Sequence, residues 1–168
     1  MEARPLTTVL VGVTPGMPDS VITTAAEFAV RLDAQLVCGY VDVSQYPVET
    51  LPDGSVRSMS VDSDLADVNS TFPTGLLDQL ANVLDPLEVR WSTRYLAGDP
   101  AQALSMLAER IDAGLIVVGT RDSTMRESMR EFFNGSVAVH LAHRQHRPVL
   151  VVPVNPAPAS TPLPWESD

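Results

Sequence analysis

The sequence predicts an α/β domain built on an open parallel sheet with helices on both faces. Four short apolar runs, TVLVGV (8–13), QLVCGYV (35–41), LIVVG (115–119) and PVLVVPV (148–154), are rich in Val, Leu and Ile without strict alternation. That is the composition of strands buried on both faces. Helical patterns lie between them, and strand alternating with helix implies right-handed crossovers. At 168 residues and 45% hydrophobic content, the chain is long enough for one well-buried core and too short for two ordinary domains.

Taken in order, the first strand leads to a helix over 19–33, where Ile22, Ala25, Ala26, Ala29 and Leu32 form one stripe and Asp19 or Ser20 is the N-cap. The second run holds the single cysteine, Cys38, in an apolar setting that reads as a packed core thiol. Residues 44–75 are rich in Ser, Thr, Pro and Asp, with Glu49, Asp53, Asp62, Asp64 and Asp67 against Arg57, and predict a mobile, solvated loop. A helix, LLDQLANVL (76–84), follows. EVRWSTRYL (88–96) alternates Val89, Trp91, Thr93 and Tyr95 with Arg90, Ser92 and Arg94, the pattern of an edge strand with one solvated face. Residues 99–112 open on Asp99 as N-cap and Pro100 in the first turn, then place Ala103, Leu104, Leu107, Ala108 and Ile111 on one face. Residues 1–155 thus form one domain, and 156–168, with four prolines, an extended tail.

Composition narrows the function. The net charge of -10 repels nucleic acid and anionic membranes. All eleven basic residues are Arg, which excludes chemistry that depends on a lysine, including the Walker A loop and Schiff-base catalysis. A lone cysteine permits no disulfide within the chain, and neither a signal-peptide core nor a membrane span is present, so a soluble cytoplasmic protein is expected.

In an open parallel sheet, ligands bind beyond the carboxyl ends of the strands, where the strand order reverses. The segments at those ends are VTPG (13–16), VDVS (41–44) and GTRD (119–122). Gly135-Ser136, followed by Val137, opens a helix whose free N–H groups and dipole favour an anion. Arg121, Arg126, Arg130, Arg144 and Arg147 make 119–147 locally basic, in keeping either with an anion site or with a solvated face. His140, His143 and His146 lack a completing cysteine or carboxylate, so no metal is required. No serine has the surroundings of a nucleophile elbow, and no general base is apparent, so an enzyme is not expected.

The succession TVLVGVTPG, GDPAQALSMLAERIDAGLIVVGTR and NGSVAVHLAHRQHRPVLVV resembles the universal stress protein family over residues 6–153. That resemblance implies a five-stranded parallel sheet in the order 3-2-1-4-5, an ATP or AMP site in some members, and a homodimer through the last strand, here Val149, Leu150, Val151 and Val152. Carried over, the site comprises Thr14, Pro15, Val41, Gly119, Arg121, Gly135, Ser136 and Val137. The motif departs from the family pattern. Thr14 stands where nucleotide-binding members carry Asp, Asp122 stands where they carry the second glycine of Gly-x-x-Gly, and the loop to Gly135 is three residues longer. A carboxylate at 122 disfavours a nearby phosphate by about 1 kcal/mol or more. Two readings follow: a regulatory adenine-nucleotide protein with an altered site, or a dimeric interaction module that has lost the nucleotide and contacts a protein partner through its acidic loop or tail.

Overall fold

A computed structural model of the chain describes residues 7–60, 71–120 and 137–154. Five parallel strands form the main sheet: β1 (Thr8–Val13), β2 (Gln35–Asp42), β5 (Trp91–Ala97), β6 (Ala113–Gly119) and β7 (Val149–Val152). Their spatial order is β5-β2-β1-β6-β7, which is 3-2-1-4-5 when these five are numbered along the chain. Strand order reverses between β1 and β6. The central strands are the most apolar because both faces are covered: Val9, Leu10, Val11, Leu36, Cys38, Ile116 and Val117 are fully buried.

Helices α1 (Asp19–Arg31) and α2 (Thr74–Leu84) cover one face, packing Val21, Ile22, Ala25, Leu76, Leu80 and Leu84 on Val9, Val11 and Leu36. Helices α3 (Pro100–Arg110) and α4 (Val137–Arg144) cover the other with Leu104, Leu107, Ala108, Ala138 and Leu141. Asp99 is the N-cap of α3, as its sequence position implies, and its carboxylate accepts the Gln102 amide at 2.8 Å. At α1 the expectation is corrected. Pro18 occupies the N-cap, and Asp19 is the first helical residue, its carboxylate accepting from Gln79 of α2 instead. The helix also stops at Arg31, two residues early, with Asp33 at φ 50 closing its end.

The largest difference lies within 44–75. Residues 45–60 form an antiparallel hairpin of β3 (Gln45–Thr50) and β4 (Val56–Ser60) rather than a loop. Two signals in the sequence carry it: Asp53-Gly54 in the turn, with Gly54 at φ 89, and a period-two alternation in β4 that buries Val56 and Ser58 and exposes Arg57 and Met59. Polar composition masks both, because Ser58 replaces an apolar residue on the inward face.

The hairpin packs against β5. Its turn presses on α3, for a Cβ on Gly54 would lie 2.5 Å from Leu107 Cδ1. Arg94 is bound into the same turn, donating through Nε to the Asp53 carbonyl and pairing with its carboxylate at 3.9 Å. The β5 face expected to be solvated is therefore partly covered: Arg94 and Ser92 are half-buried, while Tyr95, on the apolar face, is buried as its pattern implies.

Candidate functional site at the carboxyl end of the sheet

Register fixes which chain segments meet at the reversal point. Val13 lies beside Tyr40 and Val11 beside Val117, so extending both ladders sets Thr14 between Val41 on one side and the end of β6 on the other. Of the residues singled out by sequence, the fold thus gathers Thr14, Pro15, Val41 and Gly119 at one edge of the sheet. Val137 begins α4 and packs partly buried on the α3 side of the core. Arg121, Gly135 and Ser136, like Asp122, lie outside the described residues.

Each of these positions has a local cause. After β1, Thr14, Pro15 and Gly16 are exposed and form a tight turn: the Met17 amide donates to the Thr14 carbonyl at 3.2 Å, and Gly16 takes φ 79. The Thr14 N–H donates to the Met17 thioether, Sδ, at 3.4 Å. From α2, Gln79 Nε2 donates to the Met17 carbonyl at 2.9 Å and to Asp19 Oδ1 at 2.7 Å. At the end of β6, a Cβ on Gly119 would sit 3.1 Å from Val21 and 3.2 Å from Val154, so packing between α1 and the segment after β7 already favours the glycine. Its neighbour Thr120 is tied down as well, donating its amide to the Val152 carbonyl and accepting the Val154 amide at Oγ1.

The end of β2 carries a polar cluster that sequence reasoning did not single out. Asp42 Oδ1 accepts from the amide and hydroxyl of Ser44, while Oδ2 accepts from the Tyr95 hydroxyl at 3.2 Å. Tyr95 Oη also lies 3.0 Å from Ser58 Oγ on the hairpin. Burial, followed by the nearby Asp42 charge, pushes the Tyr95 phenol up to about 12. Tyr40, the cross-strand neighbour of Tyr95, is raised by the same two causes. The Asp42 carboxylate is thus engaged toward β5 and the hairpin. The signal that could have found this cluster is the end of β2 itself, "VDVS", beside an edge strand ending in Tyr95.

Among the described residues, no group of three or more His, Cys, Asp or Glu gathers as a metal site, and no helix is long and apolar enough to cross a membrane. Cys38 is fully buried in β2, and desolvation pushes its thiol up to about 12.

The model of the universal stress protein family matches residues 5–153. The chain belongs to the universal stress protein family. No curated protein matches it in sequence. Among solved structures, it is similar to the family member UspA from Lactobacillus plantarum, at 21% identity and TM-score 0.62, over 90% of this chain and 99% of that one. A universal stress protein solved in complex with cAMP is 22% identical, with TM-score 0.57, over 88% of this chain and 96% of that one. A family protein from Arabidopsis thaliana with AMP bound is 18% identical, with TM-score 0.55, over 96% and 99%. At these identities the structures establish the shared fold.

Proposed function

We propose that this family member binds an adenine nucleotide of the AMP or ATP type as a regulatory ligand, at the carboxyl end of its sheet, in a cytoplasmic stress response. The observation that carries the reading is the convergence of Thr14, Pro15, Val41 and Gly119 where strand order reverses between β1 and β6. Structural relatives with the same sheet hold cAMP, AMP and, in Archaeoglobus fulgidus, dAMP. The ligand acts by occupancy, with no catalytic residue assigned. The family resemblance assigns Arg121, Gly135, Ser136 and Val137 to the phosphate side, where the Arg121 guanidinium is a charge-assisted donor for a phosphate oxygen. Thr14 offers a neutral hydroxyl and backbone groups in place of a carboxylate.

Calorimetric and thermal-shift titrations with AMP, ATP and cAMP test the reading, since occupancy raises stability by mass action. Saturable heat and a rising Tm are expected. No stabilisation by any of the three at millimolar concentration favours the other reading, a module that works through protein contacts alone.

A homodimer through Val149, Leu150, Val151 and Val152 accompanies this proposal. Its support is that β7 is the terminal strand of the sheet and Val151 is 42% exposed. An apolar strand at an open edge invites pairing.

A further inference from the structure

We propose that Gln79, on the second helix, is a positioning residue of the nucleotide site, and that the Met17 sulfur holds the Thr14 N–H in readiness for the ligand; this rests on the nucleotide reading above.

The turn after β1 is exposed from Thr14 to Gly16, contains a glycine at positive φ, and has little packing of its own. Among the described residues, two side chains restrain it by hydrogen bonds. Met17 folds its thioether back onto the Thr14 N–H. Gln79 reaches across from α2 and spends both amide hydrogens on the far side of the turn, one on the Met17 carbonyl and one on the Asp19 carboxylate. Helix α2 itself is seated by Leu76, Leu80 and Leu84, all at or near complete burial, so Gln79 projects from a fixed base.

The two contacts differ in strength, and the difference gives them separate tasks. A thioether is a weak acceptor. A ring nitrogen or hydroxyl oxygen of a nucleotide is a stronger one, so transfer of the Thr14 N–H from Met17 to the ligand is favourable. The amide bonds of Gln79, one of them to a carboxylate, are the stronger pair and survive that exchange. Gln79 therefore keeps the turn in its binding shape before the ligand arrives, which lowers the ordering cost of association. In the sequence, Gln79 reads only as a polar position of an amphipathic helix, which is why nothing there marks it.

The test uses the full chain with Gln79→Glu, which keeps size but removes both donors, and Gln79→Lys, which restores donors. Calorimetry with AMP and hydrogen exchange of the Thr14, Gly16 and Met17 amides without ligand are the readouts. Gln79→Glu is expected to weaken AMP about tenfold and to speed exchange in the turn by a similar factor, the size expected for two lost hydrogen bonds that are partly exposed. Strand amides should exchange as before, and Gln79→Lys should return AMP affinity to within about threefold of the parent. AMP affinity and turn exchange unchanged in Gln79→Glu would overturn the proposal. If the parent protein binds none of the nucleotides, the functional reading fails; unaltered turn exchange in Gln79→Glu would then overturn the positioning role separately.

Discussion

Three residues show how far a single position commits this fold. Gly54 has φ 89 and no room for a Cβ beside Leu107, so Gly54→Ala meets both backbone strain and overlap with a core leucine. A loss of about 2 kcal/mol in urea unfolding is expected, with the main sheet retained. Cys38 is buried, and burial pushes its thiol up to about 12 from an ordinary value of 9.0. The neutral thiol is favoured in the folded chain, so its contribution to stability is complete below pH 9 and is lost as pH rises from 9 toward 12. Stability profiles of the parent and of Cys38→Ala should therefore converge across that range, the parent falling more steeply. The native thiol should also resist a disulfide reagent at pH 8 until the chain is unfolded. Tyr95→Phe leaves Ser58 and Asp42 without the hydroxyl that joins them, for an expected cost of about 1 kcal/mol by denaturant titration.

At the scale of elements, what was legible in the sequence depended on periodicity and on local caps. The central strands announced themselves because burial on both faces leaves the middle of each run apolar, with polar residues such as Thr8 and Gln35 only at its start, and α3 because Asp99 and Pro100 mark its start. Asp99→Ala tests that start: about 1 kcal/mol of destabilisation is expected from the lost cap, seen as a lower Tm. The hairpin was not legible from composition. Its inward face carries Ser58 where a strand usually shows an apolar residue, β3 is exposed over most of its length, and its partner surface is Tyr95, whose hydroxyl makes a polar inward residue acceptable. The place of the candidate site was legible in outline, since strand ends fix where segments meet: Thr14, Val41 and Gly119 lie together at the carboxyl end of the sheet. Its supports were not, because the pairing of Gln79 with Met17 and Asp19 joins positions about sixty residues apart that no local pattern connects. Gly119 carried a second reading hidden from sequence, for its missing Cβ makes room for Val21 and Val154.

At the scale of the whole molecule, the two ends of the sheet are unlike. At one end β5 lies under the hairpin, held by Arg94 to the Asp53 turn and by Tyr95 to Ser58. At the other, β7 presents Val151 outward. If the proposed dimer forms there, Val151→Arg places a charge in the apolar contact, and light scattering at micromolar concentration should read half the parent's mass while the circular dichroism stays the same. The hairpin also bears on how such a pairing ends. A sheet with two open flanks can add copies without limit and grow into a filament, because each addition exposes a fresh flank. The hairpin packs beside β5 as a separate two-stranded sheet and crowds that flank without pairing with it, so growth past two copies is opposed at β5 by the chain's own ribbon and not by a completed ladder.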